Sequence, residues 1–171
     1  MLSLDKDVYK EIVNSKKAFL YCMVNVGILG LIYTLSSLSF IDKVIIRESA
    51  NVNSFMIILM GLSFTFLVHG GIVLFIWVFS RGIGGNKSLI IPYLHIGIAS
   101  IAMWPTAPAL AALMAGIKNP VLTVFITISS IYALVVFFIS AREAFDLSNL
   151  KMGIASLFTL IYVSCFMYLW I

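Results

Sequence analysis

Residues 120–140 read PVLTVFITISSIYALVVFFIS, an apolar run without a single charge. A helix rises about 1.5 Å per residue, so about 20 such residues cross the roughly 30 Å hydrocarbon core of a bilayer. Backbone groups in lipid must bond to one another, which leaves helices and closed barrels as the only spanning forms. Barrel strands run to about 9–11 residues and alternate apolar with polar. The run at 120–140 is twice that length and does not alternate, so it is expected to be a membrane-spanning helix.

Working outward, four more runs meet the same test, at 18–38, 54–79, 89–114 and 152–171, and the five together cover two thirds of the 171 residues. The whole chain is 62% hydrophobic and only 11% charged, with a mean hydropathy of +1.11. Soluble domains are about 45–50% apolar and about 25% charged, and a small globule cannot hide the excess. That balance excludes a free cytosolic enzyme, a nucleic-acid-binding domain and a disordered chain. The expected fold is all-α: an integral membrane bundle of five transmembrane helices at 18–171, preceded at 1–17 by a short amphipathic interfacial helix.

Lysine and arginine set the orientation, because short cytoplasmic loops collect them. Lys6, Lys10, Lys16, Lys17, Arg81, Lys87, Arg142 and Lys151 fall on one side of a five-span plan, and Lys43, Arg47 and Lys118 on the other. The N-terminus is therefore expected in the cytoplasm and the C-terminus across the membrane. The net charge of +4 is read as this topology signal, not as a nucleic-acid surface. The acids Asp5, Asp7 and Glu11 ahead of the first run argue for a retained anchor over a cleaved signal. In residues 4–17, Leu4, Val8 and Ile12 recur every four positions opposite a charged face. A helix lying on headgroups, continuous with the first span, is favoured there over a docking helix for a cytosolic partner.

Inside the membrane the 89–114 run carries Trp104, Pro105 and Pro108. Proline removes a backbone donor and clashes with the preceding turn, so this span is expected to kink or break in its second half. Such a bend serves either packing, the favoured reading, or a substrate site in a transporter. Ala107, Ala111 and Ala115 form one small-residue stripe after it, and Pro108, Ala112 and Gly116 another. Gly61, Gly70, Gly71 and Gly97 add further points where helices can approach closely. His69 and His95 are the only histidines. Intramembrane ionisable groups are candidate functional groups, and the two can approach on adjacent helices. They make a poor metal site without a carboxylate or thiolate nearby. Cys22 and Cys165 are placed at other depths and do not complete one. Asn25 is read as an interhelix hydrogen bond.

The loop from Arg81 through Gly82, Gly84, Gly85, Lys87 and Ser88 lacks the G-x-x-x-x-G-K-[ST] spacing and the strand-to-helix setting of a phosphate loop. It reads as a tight turn at headgroup level. No nucleophile–base set, zinc-protease motif or nucleotide fingerprint is present, so neither enzymatic chemistry nor a cofactor is expected.

The run Arg142, Glu143, Ala144, Phe145, Asp146, Leu147, Ser148 joins the last two spans, with Ser148 or Asp146 as a helix cap. Together with the glycine-rich basic loop at 82–87, the proline-bearing span that follows and the five-span plan, it resembles prokaryotic members of the YIP (Ypt/Rab-interacting protein) family. The resemblance extends from about residue 18 to 171. It departs at Tyr132, where such proteins often have Trp, and at Ser140, where Gly is common. It implies a non-enzymatic membrane protein that acts by helix association with itself or other membrane proteins, in membrane organisation or trafficking, with lipid as its surroundings. The long cytosolic N-terminal region of the eukaryotic members does not precede the first span here, so GTPase binding is not expected. The alternative is a small transporter or channel component with a site between spans two and three.

Overall fold

The computed structural model describes residues 11–40 and 53–168. All regular structure among them is helical. The order is α1 (Ala18–Ser39), α2 (Ser54–Gly82), α3 (Ile90–Ala99), a 3₁₀ turn (Ser100–Met103), α4 (Thr106–Met114), α5 (Pro120–Phe145) and α6 (Asn149–Tyr168). α1, α2 and α5 are long and apolar enough to cross a membrane, and α3 with α4 makes a fourth if the bent pair counts as one span. The first loop at 41–52, residues 1–10 of the amphipathic segment and the C-terminal end at 169–171 lie outside the described residues.

Local chemistry starts and stops these helices. Asn53 and Asn119 each accept, through Oδ1, a hydrogen bond from the backbone N–H two residues on, at 2.9 Å. Asparagine is among the best N-caps, and Pro120 follows at the first helical position, where no donor is needed. Three helices end in the same C-cap geometry, with a left-handed residue and a six-to-one bond. These are Gly84 after α2 (Gly85 N–H to Ser80 O, 2.8 Å), Gly116 after α4 (Ile117 N–H to Ala112 O, 3.1 Å) and Asp146 after α5 (Leu147 N–H to Arg142 O, 3.2 Å).

The broken pair α3–α4 forms the centre of the bundle. α1 lies on one side of it and α5 on the other, while α2 flanks α1 and reaches α6. Phe75 and Phe79 of α2 meet Tyr162 and Phe158 of α6, with ring centroids 4.1 and 5.8 Å apart. One end of the bundle gathers the turns after α2 and α5, tied by Asn86 N–H to Phe145 O (2.9 Å) and Lys151 Nζ to Ile83 O (3.0 Å). We call this the basic end.

Burial is inverted relative to a soluble protein. The interior holds Asn25, Thr34, His69, Ser80, His95, Ser100, Thr106 and Ser140 among small apolar residues, while Leu67, Phe64, Val121, Ile128, Phe158 and many similar side chains face outward. An aqueous surface seldom carries apolar patches beyond a few hundred Å²; this exterior suits hydrocarbon. Residues 11–14 are helical, but a break at residues 15–17 separates them from α1. Ile12 and Val13 pack onto the core beside Cys22 and Val26, so this part of the amphipathic segment lies on the bundle and is not continuous with the first span.

Candidate functional site

The expected break falls at Trp104–Pro105, just after the 3₁₀ turn Ser100–Met103, and the segments Ile90–Met103 and Thr106–Met114 on either side are 69° apart. Its position is set by Pro105, which stands at the N-cap of α4 and offers no donor to the preceding turn. Pro108 does not bend the chain. It lies in the first turn of α4, where the backbone N–H groups have no partner within the helix in any case. Both prolines are exposed.

Side chains of neighbouring helices hold the break. Asn25 Nδ2 donates to Ile98 O at 3.3 Å, and Trp104 Nε1 donates back to Asn25 O at 3.3 Å. That pair clamps α1 across the 3₁₀ turn and confirms Asn25 as an interhelix tie. From the other side Ser140 Oγ donates to His95 O at 2.9 Å, and Ser100 Oγ closes onto Gly97 O at 2.7 Å.

The small-residue stripes divide. Ala107, Ala111 and Ala112 are buried and Ala115 is half-buried, where α4 packs between α1 and α5. Gly116 and Pro108 are exposed; Gly116 terminates the helix and packs nothing. Of the glycines, Gly61 and Gly97 do receive neighbours, but a Cβ at Gly70 or Gly71 would meet nothing within 4 Å. Gly30, which the sequence reading passed over, belongs to the tightest crossing. A Cβ there would lie 2.9 Å from Thr65 Oγ1, and one at Gly61 would strike Thr34. Gly30 and Thr34 of α1 thus interlock with Gly61 and Thr65 of α2, each glycine receiving the other helix's threonine.

His69 packs against α3 on the Tyr93 and Gly97 side. His69 of α2 lies edge-on to Tyr93, with centroids 4.5 Å apart, and its Nε2 is 3.3 Å from where a Cβ at Gly97 would stand. Tyr93 and Gly97 are four residues apart and share a face of α3, whereas His95, two residues from each, is turned about 200° away at 100° per residue. Of the residues in the candidate site, Trp104 bonds to α1 through Asn25 O, His95 is buried and accepts from Ser140 at its carbonyl, and Pro105 is exposed.

Cys22 and His69 both approach Gly97. Cys22 Sγ occupies the space a Cβ at Gly97 would need, and its thiol donates to Tyr93 O at 3.6 Å. Cys22 is fully buried and His69 is 8% exposed, with Nε2 lacking a hydrogen-bond partner. The expectation that the cysteines stand apart from the histidines is corrected for Cys22. It failed because depth along one helix was compared with depth along another without knowing their offset. A signal was present: Ala18, Cys22, Asn25, Gly30 and Thr34 form a stripe of small and polar residues along α1, and all are buried.

At the basic end, the glycine-rich loop is a self-satisfied turn. The N–H groups of Ile83, Gly84, Gly85, Asn86 and Ser88 bond to Ser80 O, Arg81 O, Ser80 O, Phe145 O and Asn86 Oδ1, which leaves no cradle for a phosphate. Arg81 lies over the Trp77 ring at 5.2 Å, and Lys87, exposed, gives its carbonyl to Trp77 Nε1 at 3.2 Å. Arg142 donates to Asn149 Oδ1 at 2.6 Å and lies 3.7 Å from Glu143. Ser148 Oγ accepts from Lys151 N–H at 3.4 Å, capping α6.

No family model matches the chain, and neither a curated protein nor a solved structure is significantly similar to it.

Proposed function

We propose that the chain is a five-span integral membrane protein of YIP type, with its basic end in the cytoplasm, that works without chemistry of its own by associating with itself or with other membrane proteins. One observation carries this reading. Three interior glycines are filled by neighbours within the chain, whereas adjacent Gly70 and Gly71, in the middle of α2, have open space where a side chain would be. Glycine inside a helix costs about 1 kcal/mol relative to alanine, and in lipid a shallow notch of this kind is where a second helix approaches closely. The reading is supported further by α6, a helix of 20 residues, and by the turns that tie Phe145 and Lys151 to the 82–87 loop.

The test is association in lipid. Protein reconstituted at low density in nanodiscs and crosslinked in native membranes is expected to give oligomers or a captured membrane-protein partner, and Gly70→Leu to abolish them. Strictly monomeric protein with no crosslinked partner overturns the proposal. The break at Trp104–Pro105, with polar groups around it, favours a second reading as a small transporter component. Solute flux into liposomes that disappears in a His69→Ala/His95→Ala double variant would support that reading, and unchanged flux would refute it.

A further inference from the structure

We infer that Cys22 and His69 form a two-coordinate binding site for a soft monovalent metal ion, Cu(I), inside the bundle. The two donors come from different helices and converge on one point. Gly97 of α3 has no side chain, and the space this leaves is filled by Cys22 Sγ from α1 and approached by His69 Nε2 from α2. Both residues are more than nine-tenths buried, and the imidazole nitrogen aimed at this point lacks a hydrogen-bond partner. The Tyr93 backbone also lies near the imidazole, but no atom meets Nε2 in hydrogen-bonding geometry. A buried polar atom left this way is costly and calls for an explanation.

The donor set selects the ion. Among the described residues no cluster of three or more His, Cys, Asp or Glu exists, so an ion that demands four ligands, such as Zn²⁺, lacks its partners. Thiolate is a soft donor that suits Cu(I). Charge points the same way. Cu(I) replaces the thiol proton, which leaves to solvent, so one thiolate and one neutral imidazole around a monovalent ion carry no net charge. A divalent ion in the same place would leave an uncompensated charge in a low-dielectric interior.

The full chain in nanodiscs, titrated anaerobically with Cu(I) against a chromophoric chelator, is expected to bind one ion per chain and release one proton. X-ray absorption is expected to give one sulfur and one nitrogen neighbour. Cys22→Ser and His69→Gln should each weaken binding at least tenfold, and Cys165→Ser should leave it unchanged. Where a variant fails to fold, the X-ray absorption signature of Cu(I)-loaded wild-type protein gives the same answer on intact protein. No binding in competition with the chelator, binding that survives Cys22→Ser, an absorption spectrum without a sulfur neighbour, or equal binding of Zn²⁺ overturns the site.

Discussion

Replacing Gly97 by alanine tests the packing at the centre of the bundle. The added Cβ would strike Cys22 Sγ and lie 3.3 Å from both Cys22 Cβ and His69 Nε2. Overpacking of this kind costs about 1–3 kcal/mol, and with the sulfur fully buried the upper end applies. Alanine in place of glycine returns about 1 kcal/mol of helix propensity. The net loss is therefore roughly 2 kcal/mol. Cys22→Ala alone removes one buried sulfur, at about 1 kcal/mol by analogy with small core truncations. In the double variant the new methyl group occupies the space the sulfur vacates, so the cost falls well below the sum, with a coupling of about 2 kcal/mol. Reversible unfolding in bicelles, followed by circular dichroism or by steric trapping, measures all four corners of the cycle. A Gly97→Ala protein more stable than wild type, or a double variant whose cost is strictly additive, would refute the close approach of α1, α2 and α3 at this glycine.

The crossing of α1 with α2 makes a parallel prediction: Gly61→Ala destabilises by about 1–3 kcal/mol, and Thr34→Ala added to it restores part of the loss in the same assay. Ser140→Ala and Asn25→Val each remove a bond that supports a carbonyl at the broken span; each is expected to cost about 0.6–1.7 kcal/mol, the range for interhelix hydrogen bonds in membranes, and to speed hydrogen exchange at residues 98–105. At the basic end, Gly84 has φ +95° and Asp146 φ +53°. Gly84→Ala should therefore lower the unfolding free energy by about 1 kcal/mol, and Asp146→Gly should leave it unchanged or raise it slightly.

The apolar runs at 54–79 and 120–140 announced α2 and α5 because span length and hydropathy are local properties. Both helices run past the expected membrane boundary, to Gly82 and Phe145, since a charge at an interface does not stop a helix whereas a left-handed residue does. The break in the third span was legible from its prolines. Its position was not: Pro105 and Pro108 look alike in sequence, and only their places relative to a new helix start distinguish them. The interlocking of Gly30 with Thr65 and of Thr34 with Gly61 needs the register between two helices, which neither helix encodes alone. The same missing offset separated Cys22 from His69. The buried face of α1, in contrast, was written in its sequence as the polar and small stripe from Ala18 to Thr34. In a lipid setting that stripe, not the apolar one, marks the interior.

The account rests on a bundle that crosses a bilayer with its basic end in the cytoplasm. Single cysteines placed at the exposed positions Lys87 and Lys118, in a Cys22→Ser/Cys165→Ser background, can be probed in intact cells with a membrane-impermeant maleimide. Labelling at 118 together with protection at 87 until the membrane is opened is the predicted result. Labelling at 87 in intact cells, or release of the chain from membranes by alkaline carbonate, would contradict it.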